Sequence, residues 1–464
     1  MAIKHETEED RWAYNCEDCV RTVEIGGVTT HLVHSLGLDE VDAFQQELFW
    51  PVLEAMLRGV RIDKKVRGEF AMELQEELDK REKFFLDVLG HPLNPRSPLQ
   101  MMRLFYDDFK LPIQIKRGTG KPTLDDDALT KLSAREPLVR PLLKAIAEYR
   151  SLGVFLSTFV KAPLDFDGRM RCSYNTCGTE TYRLASSENA FGSGTNLQNI
   201  PKGVEAKEPE DLELPNVRKI FIPDPGYTFF DMDLDRADLQ VVVWESDEEE
   251  LKAALRLGVD MHLLNAYTLA SRNLPPLEEL VEGHPKYLDW RMPYKKERQL
   301  AKSFIHGTNY GGKPNTMSKA AGVTVHQADK FQQIYFSRYP GIKRWHDRIH
   351  TQIQVHRFVT NKFGYRRFYF DRPEGILPEA LAWIPQSTVA CVINRAWMNI
   401  HKNLREVQVL LQVHDSLAGQ FPTHLNDWAL RRMKEESLIV VPYDDPLIIP
   451  VGVKTSEVSW GDCK

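Results

Sequence analysis

"FFDMDLDRADLQVVVWES", residues 229–246, changes character halfway along. It begins as a strand and continues as a helix. Asp231 and Asp233 are two apart, so on a strand they share one face, and Asp233 stands where that strand should end. A second stretch, "LLQVHDSLAG" at 410–419, breaks an apolar run at His414 and Asp415 and then turns back into apolar residues. That pattern predicts a hairpin with the two polar residues at its tip. Two carboxylates brought together at strand ends repel one another. The arrangement is stable only if a cation offsets the repulsion or one acid is protonated. Mg²⁺ takes hard oxygen ligands, often one or two carboxylates plus substrate phosphates. Surface turns also commonly carry Asp, and spacing alone leaves both readings open.

"RQLAKSFIHGTNYGG", 298–312, is the next informative stretch. Arg298, Lys302, His306 and Tyr310 recur every four residues and form one stripe on a helix. Arg offers a fork of donors and Lys a compact charge, both suited to phosphate oxygens. An imidazole and an aromatic ring beside them suit a sugar and a base. A solvated helix face would carry similar charges. Gly311 and Gly312 are placed to end the helix.

The rest of the chain frames these stretches. At 464 residues it is long enough for several packed units. Hydrophobic content of 42% and charged content of 27% are those of an ordinary globular protein, and no run of eighteen apolar residues predicts a membrane span. Six cysteines give no disulfide scaffold and point to a reducing compartment. Cys16 and Cys19 have zinc-like spacing but no second close pair follows, so zinc is not expected. Net charge is −6, so any nucleic-acid contact must rest on local cations. Residues 1–40 are polar and short in pattern, like an edge. Residues 43–90 read as long helices, 111–123 as a basic loop, and 216–235 as strands around a tight corner. Helices follow from 241 to 360. "RFVTNKFGYRRFYF" then reads as a hairpin about Gly364, before the hairpin at 415.

Together these stretches resemble the polymerase part of family A DNA polymerases, the DNA polymerase I type, from about residue 45 to the C-terminus. "FFDMDLDRADLQ" resembles motif A, D-Y-S-Q-I-E-L-R. "RQLAKSFIHGTNYG" resembles motif B, R-x-x-x-K-x-x-x-F/Y-G-x-x-Y-G, and "QVHDSL" resembles motif C, V-H-D-E. Further likenesses are "TYRLASSENAFGSGTNLQNIP" to T-G-R-L-S-S…N-L-Q-N-I-P, "VDMH" to D-I-H, and "IPQSTVA" to Q-G-T-A-A. "LNPRSPLQ" and "YRSLGVFLSTFV" are similar to parts of the thumb.

The resemblance implies an α+β right hand with an antiparallel-sheet palm, helical fingers and a helical thumb. On it, 1–40 is the edge or remnant of a 3'-5' exonuclease-like domain and 41–165 the thumb with its base. Residues 166–240 and 366–464 form the palm, and 241–365 the fingers. The implied activity is template-directed DNA synthesis from dNTPs with release of pyrophosphate. Asp233 and Asp415 would bind two Mg²⁺ ions, with Mn²⁺ as a substitute, and Lys302 would assist chemistry. Arg298, Lys302, His306, Tyr310, His262 and Asp238 would hold the nucleotide. Arg183, Gln386, His414 and Arg366 would meet primer-template DNA. The basic loop 116–121 would reach duplex phosphates; its "GTGKPT" fails as a triphosphate loop because Ile115 and Pro122 break the pattern.

Four positions depart from the family pattern. His306 replaces Phe or Tyr, which bears on sugar discrimination and, because an imidazole can take up a proton, on pH dependence. Asp238 replaces Glu at the position that closes the site against a ribose hydroxyl, and Leu234 replaces Tyr beside it. Ser416 replaces the Glu of motif C. Tyr14 and Asp18 in "WAYNCEDCVRT" resemble the last exonuclease motif, Y-x-x-x-D, without the earlier acidic motifs, so no proofreading is expected of this chain alone. The expected unit is a monomer in a bacterial cytoplasm, or a phage protein in its host, off the membrane. A separate exonuclease subunit or processivity factor is a conceivable partner. A single-subunit RNA polymerase-like enzyme and a catalytically inactive primer-template binding module are the alternative readings.

Overall fold

A computed structural model describes residues 7–116, 119–204 and 212–464. Its centre is a four-stranded antiparallel sheet. The strands are β1 (Tyr227–Leu234), β2 (Gln408–Val413), β3 (Ser416–Pro422) and β4 (Val451–Ser456), in the order β4-β1-β3-β2. The apolar run of β1 follows from its place between two neighbours, where both faces are covered and strict alternation is lost. Phe229, Phe230 and Met232 are fully buried, and Phe230 stacks on Phe421 at 6.1 Å.

Helices surround this sheet. The first three in the chain are α1 (Glu8–Ser35), α2 (Asp39–Arg58) and α3 (Lys64–Leu89). The helices expected over 43–90 form, interrupted at Val60–Ile62 by a short strand. The N-terminal region differs from the short pieces expected of it. It is one 28-residue helix with no buried residue. A helix that buries nothing shows no apolar stripe, so periodicity could not reveal it. Its start is fixed instead by a capping box, Thr7 with Asp10.

Residues 85–146 hold a second, separate core built on Phe85, Phe105, Leu132 and Ile146. Two stretches that resemble the thumb meet beside it. Arg150 Nε donates to Pro95 O at 2.9 Å, and the Arg96 guanidinium lies over Gly153, where an added Cβ would stand 1.6 Å from Nη2 and push that side chain aside. Of the basic loop 116–121, residues 117–118 lie outside the described residues, and Lys116 N donates to Lys121 O at 2.9 Å.

Five further helices position the site: α4 (Ala237–Ser246), α5 (Met261–Leu269), α6 (Lys295–Asn309), α7 (Pro340–His356) and α8 (Pro373–Asn403). Helix α8 packs on α2, α4 and α7. It is apolar enough over Gly375–Asn403 to pass as a membrane span by composition, yet 72% of its most apolar stretch is buried inside the fold. The hairpin expected about Gly364 pairs Phe358–Thr360 with Arg366–Phe368, and Gly364 takes φ +85 at its turn.

Candidate active site

The first expectation concerned two carboxylates at strand ends. β1 and β3 are antiparallel neighbours, and Asp233 lies opposite Ser416, the residue after Asp415. Leu234 N donates to Asp415 O at 3.2 Å, which locks the turn onto the end of β1. The turn requires φ +59 at His414, a conformation a non-glycine residue adopts only when its surroundings hold it there. They do so through a buried amide chain. Gln198 Nε2 donates to Gln412 Oε1, and Gln412 Nε2 donates to His414 O, both at 2.9 Å. Tyr174 Oη bonds the Gln412 backbone on both sides, at 3.0 and 3.1 Å. Ser416, which stands where motif C has Glu, is buried and donates to Val413 O at 3.0 Å, so it closes the hairpin from inside.

The electrostatics are those of crowded acids. Burial, then repulsion from Asp415 and Asp231, pushes the Asp233 carboxyl up to about 6. Burial also raises Asp415, and Asp238 adds to it while Arg183 and His414 oppose. Asp231 is not drawn into this pair as a partner. It faces Arg218 at 3.6 Å, whose guanidinium lies 4.0 Å over the Trp460 ring. Among the described residues no group of three or more His, Cys, Asp or Glu surrounds one metal position. The donor set is therefore two carboxylates with stored repulsion. It fits a hard cation such as Mg²⁺ whose shell is completed by water and substrate phosphates.

A second cluster joins distant segments. Asp238, in the first turn of α4, accepts a hydrogen bond from Tyr310 Oη at 3.0 Å and sits 3.6 Å from Arg183. Burial, then Asp238, holds the Tyr310 phenol well above its ordinary range, so it stays a neutral donor. Helix α6 carries the predicted stripe. It ends at Asn309, with Tyr310 as its cap and Gly311 at φ +72. Lys302 is exposed, and His306 packs edge-on against Tyr310 at 4.6 Å between ring centres. Asp238, His262, Asn265, Lys302, His306 and Tyr310 line a cleft of about 60 Å³ between α4, α5 and α6.

Arg298, at the start of the stripe, is held by Asp260. Its Nε donates to Asp260 Oδ2 at 2.7 Å, and Tyr287 Oη donates to the same oxygen at 2.7 Å. Asp260 Oδ1 caps α5 through the backbone N–H groups of His262 and Leu263. The sequence reading missed Asp260 as an anchor, although an Asp just before an apolar helix is an N-cap signal. It also missed Gln198 and Gln412, whose pairing spans more than two hundred residues and leaves no local mark. Gln386 lies half-buried on α8. Arg366 lies on the hairpin about Gly364. It donates to Leu36 O at 3.1 Å, beyond α1, and lies 5.1 Å over Phe358.

The chain matches the family described as DNA polymerase family A over residues 64–457. It is 28% identical over 411 residues to the thermostable DNA polymerase I of Thermus filiformis, covering 85% of this chain and 45% of that protein. It is 27% identical over 411 residues to DNA polymerase I of Geobacillus stearothermophilus, covering 84% of this chain and 43% of that protein. The chain thus spans less than half the length of these curated relatives. Its fold is similar to the POL domain of Pol1 from M. smegmatis, solved in complex with DNA primer-template and dNTP. The TM-score is 0.77 at 21% identity, over 92% of this chain and 72% of that one. The α+β architecture expected from the sequence is the one found.

Proposed function

The chain belongs to DNA polymerase family A, and from that premise we propose that it extends a primer 3'-hydroxyl along a DNA template, using dNTPs and releasing pyrophosphate. The observation that carries the reading is the meeting of Asp233 and Asp415 at adjacent strand ends, with Asp238 acting on Asp415 and bonded to Tyr310 of the stripe that also bears Arg298, Lys302 and His306. In this reading the central sheet and α8 are the palm, residues 241–365 the fingers, and 41–165 the thumb and its base.

Asp233 and Asp415 would hold two Mg²⁺ ions, or Mn²⁺ in their place, which supply activation of the hydroxyl and stabilisation of the leaving oxygens. Lys302, exposed on α6, sets its ammonium against the triphosphate and protonates the departing pyrophosphate. Arg298 presents the guanidinium nitrogens that Asp260 leaves free to the outer phosphates. His262, whose imidazole burial keeps neutral, supplies a neutral contact beside them. Asp238 and Tyr310 shape the pocket for sugar and base. Arg183, His414, Gln386 and Arg366 meet the primer-template strands. A cleft of about 60 Å³ is far smaller than the several hundred Å³ a nucleotide needs. In this reading helix α6 opens to admit dNTP and closes on it, which couples pairing to chemistry. The catalytic unit acts as a monomer, and any exonuclease or processivity partner is a separate contributor.

Primer extension with Mg²⁺ on a labelled DNA duplex tests this, comparing deoxy- and ribonucleotides. Asp415→Ala and Asp233→Ala should each lower incorporation by roughly a thousandfold or more, with primer-template affinity nearly unchanged. Equal extension by either variant refutes the assignment.

A further inference from the structure

Tyr182 has φ +60, in the left-handed region. An aromatic residue avoids that region unless neighbouring contacts compel it. The motif it resembles, T-G-R-L-S-S, has glycine at this position, where the same backbone carries no strain. Here the strained residue is also an anchor. Its ring meets Tyr365 edge-on at 4.5 Å and Trp383 at 6.4 Å. Its Oη donates to Arg366 O at 3.0 Å. Trp383 Nε1 in turn donates to Glu180 O at 2.6 Å, and Tyr182 N closes the turn onto Thr179 O at 3.2 Å. Residues 179–183 are thereby fastened to the 358–368 hairpin and to α8.

The next residue is Arg183. Its guanidinium is 3.6 Å from Asp238 Oδ1, too long for a hydrogen bond. Arg183 Nε and Asp238 Oδ1 are both buried without a hydrogen-bond partner. The pair is thus not locked by its own geometry. What places Arg183 is the backbone behind it, including the bond from Thr179 Oγ1 to Arg183 O at 2.6 Å. Arg183 is also a cation acting on Asp415 and His414.

We propose that Tyr182 is a positioning residue for nucleotidyl transfer, holding Arg183 between Asp238 and the motif C turn by bracing its backbone against Tyr365, Trp383 and Arg366. The proposal rests on the polymerase reading above. It assigns to a side chain the rigidity that a glycine cannot supply.

Four variants and one structure test it. Tyr182→Gly relieves the strained φ and removes the brace, so it should lower kcat at least about tenfold. KM for dNTP should stay within about threefold of the parent. Tyr182→Phe keeps both ring contacts and should retain at least about half the parent kcat. Adding Tyr182→Gly to Arg183→Ala should cost nothing beyond Arg183→Ala alone, because both remove one device. A crystal structure of Tyr182→Gly needs no activity and should show Arg183 displaced from Asp238. The proposal is overturned if Tyr182→Gly keeps the parent kcat, if the two losses multiply, or if the 3.6 Å contact survives unchanged. An inactive parent enzyme would instead refute the polymerase reading, and the crystal structure would still decide where Tyr182 holds Arg183.

Discussion

Tyr310 Oη donates a 3.0 Å hydrogen bond to Asp238 Oδ2, tying the C-terminal end of α6 to the first turn of α4 across the nucleotide cleft. Asp238 has no hydrogen-bond partner at its other oxygen. Tyr310→Phe therefore strips a half-buried carboxylate of its donor. It should destabilise the fold by about 1–3 kcal/mol, read from denaturant midpoints. Asp238→Ala should make ribonucleotide incorporation at least about tenfold easier relative to deoxynucleotide, since the carboxylate proposed to face the sugar is gone. An unchanged ratio would show that the one-methylene-shorter acid excludes nothing.

His306 packs edge-on against Tyr310, where motif B has Phe or Tyr. The imidazole is smaller and carries a donor that Phe lacks. His306→Phe should fill the cleft, leave stability within about 1 kcal/mol, and change the ratio of dideoxy to deoxy incorporation. Identical ratios in parent and variant would remove His306 from sugar selection.

Asp233 supplies the pH test. Its carboxyl is pushed up to about 6, first by burial and then by Asp415 and Asp231. The folded chain therefore binds this proton more tightly than the unfolded chain, whose Asp titrates near about 3.9. Stability falls as pH rises between these values, because the ionised form is disfavoured in the fold. Asp233→Asn should raise Tm by about a few degrees at pH 7.5 and lose that gain near pH 4. Mg²⁺ should raise the parent's Tm above pH 6 and leave the Asn variant's unmoved, by binding only the native ionised pair. A Mg²⁺ response equal in both variants would place the ion elsewhere.

What could be read from the sequence was what local periodicity carries. The four-residue spacing of Arg298, Lys302, His306 and Tyr310 fixes a stripe, and an apolar run broken at His414 and Asp415 fixes a hairpin tip. The 183–238–310 cluster was only partly legible: each residue was singled out, but nothing along the chain says that Arg183 and Tyr310 meet on Asp238. Helix α1 escaped because it buries nothing. Arg366 was singled out, but the bond from its guanidinium to the Leu36 carbonyl joins positions 330 residues apart and leaves no local mark.

Asp260 is the test of how the stripe is aimed. One of its oxygens caps α5 through His262 N and Leu263 N, each at 3.1 Å, and the other receives Tyr287 Oη and Arg298 Nε, each at 2.7 Å. Burial alone would raise this carboxyl; the bonds from Arg298 and Tyr287, with the cap, outweigh burial and hold it below its ordinary range. A depressed folded pKa contributes stability that is present above the unfolded value of about 3.9 and is lost as pH falls through the folded one. Asp260→Asn keeps the size and a capping oxygen but removes the charge. At pH 7 it should cost about 1.5–3 kcal/mol, the worth of charge-assisted bonds, and the cost should shrink toward pH 3. Releasing the Arg298 guanidinium from a fixed orientation should also raise KM for dNTP severalfold while kcat moves less. A variant with lowered stability and an unaltered KM would make Asp260 a helix cap alone, and Arg298 would then be oriented by the triphosphate rather than by the fold.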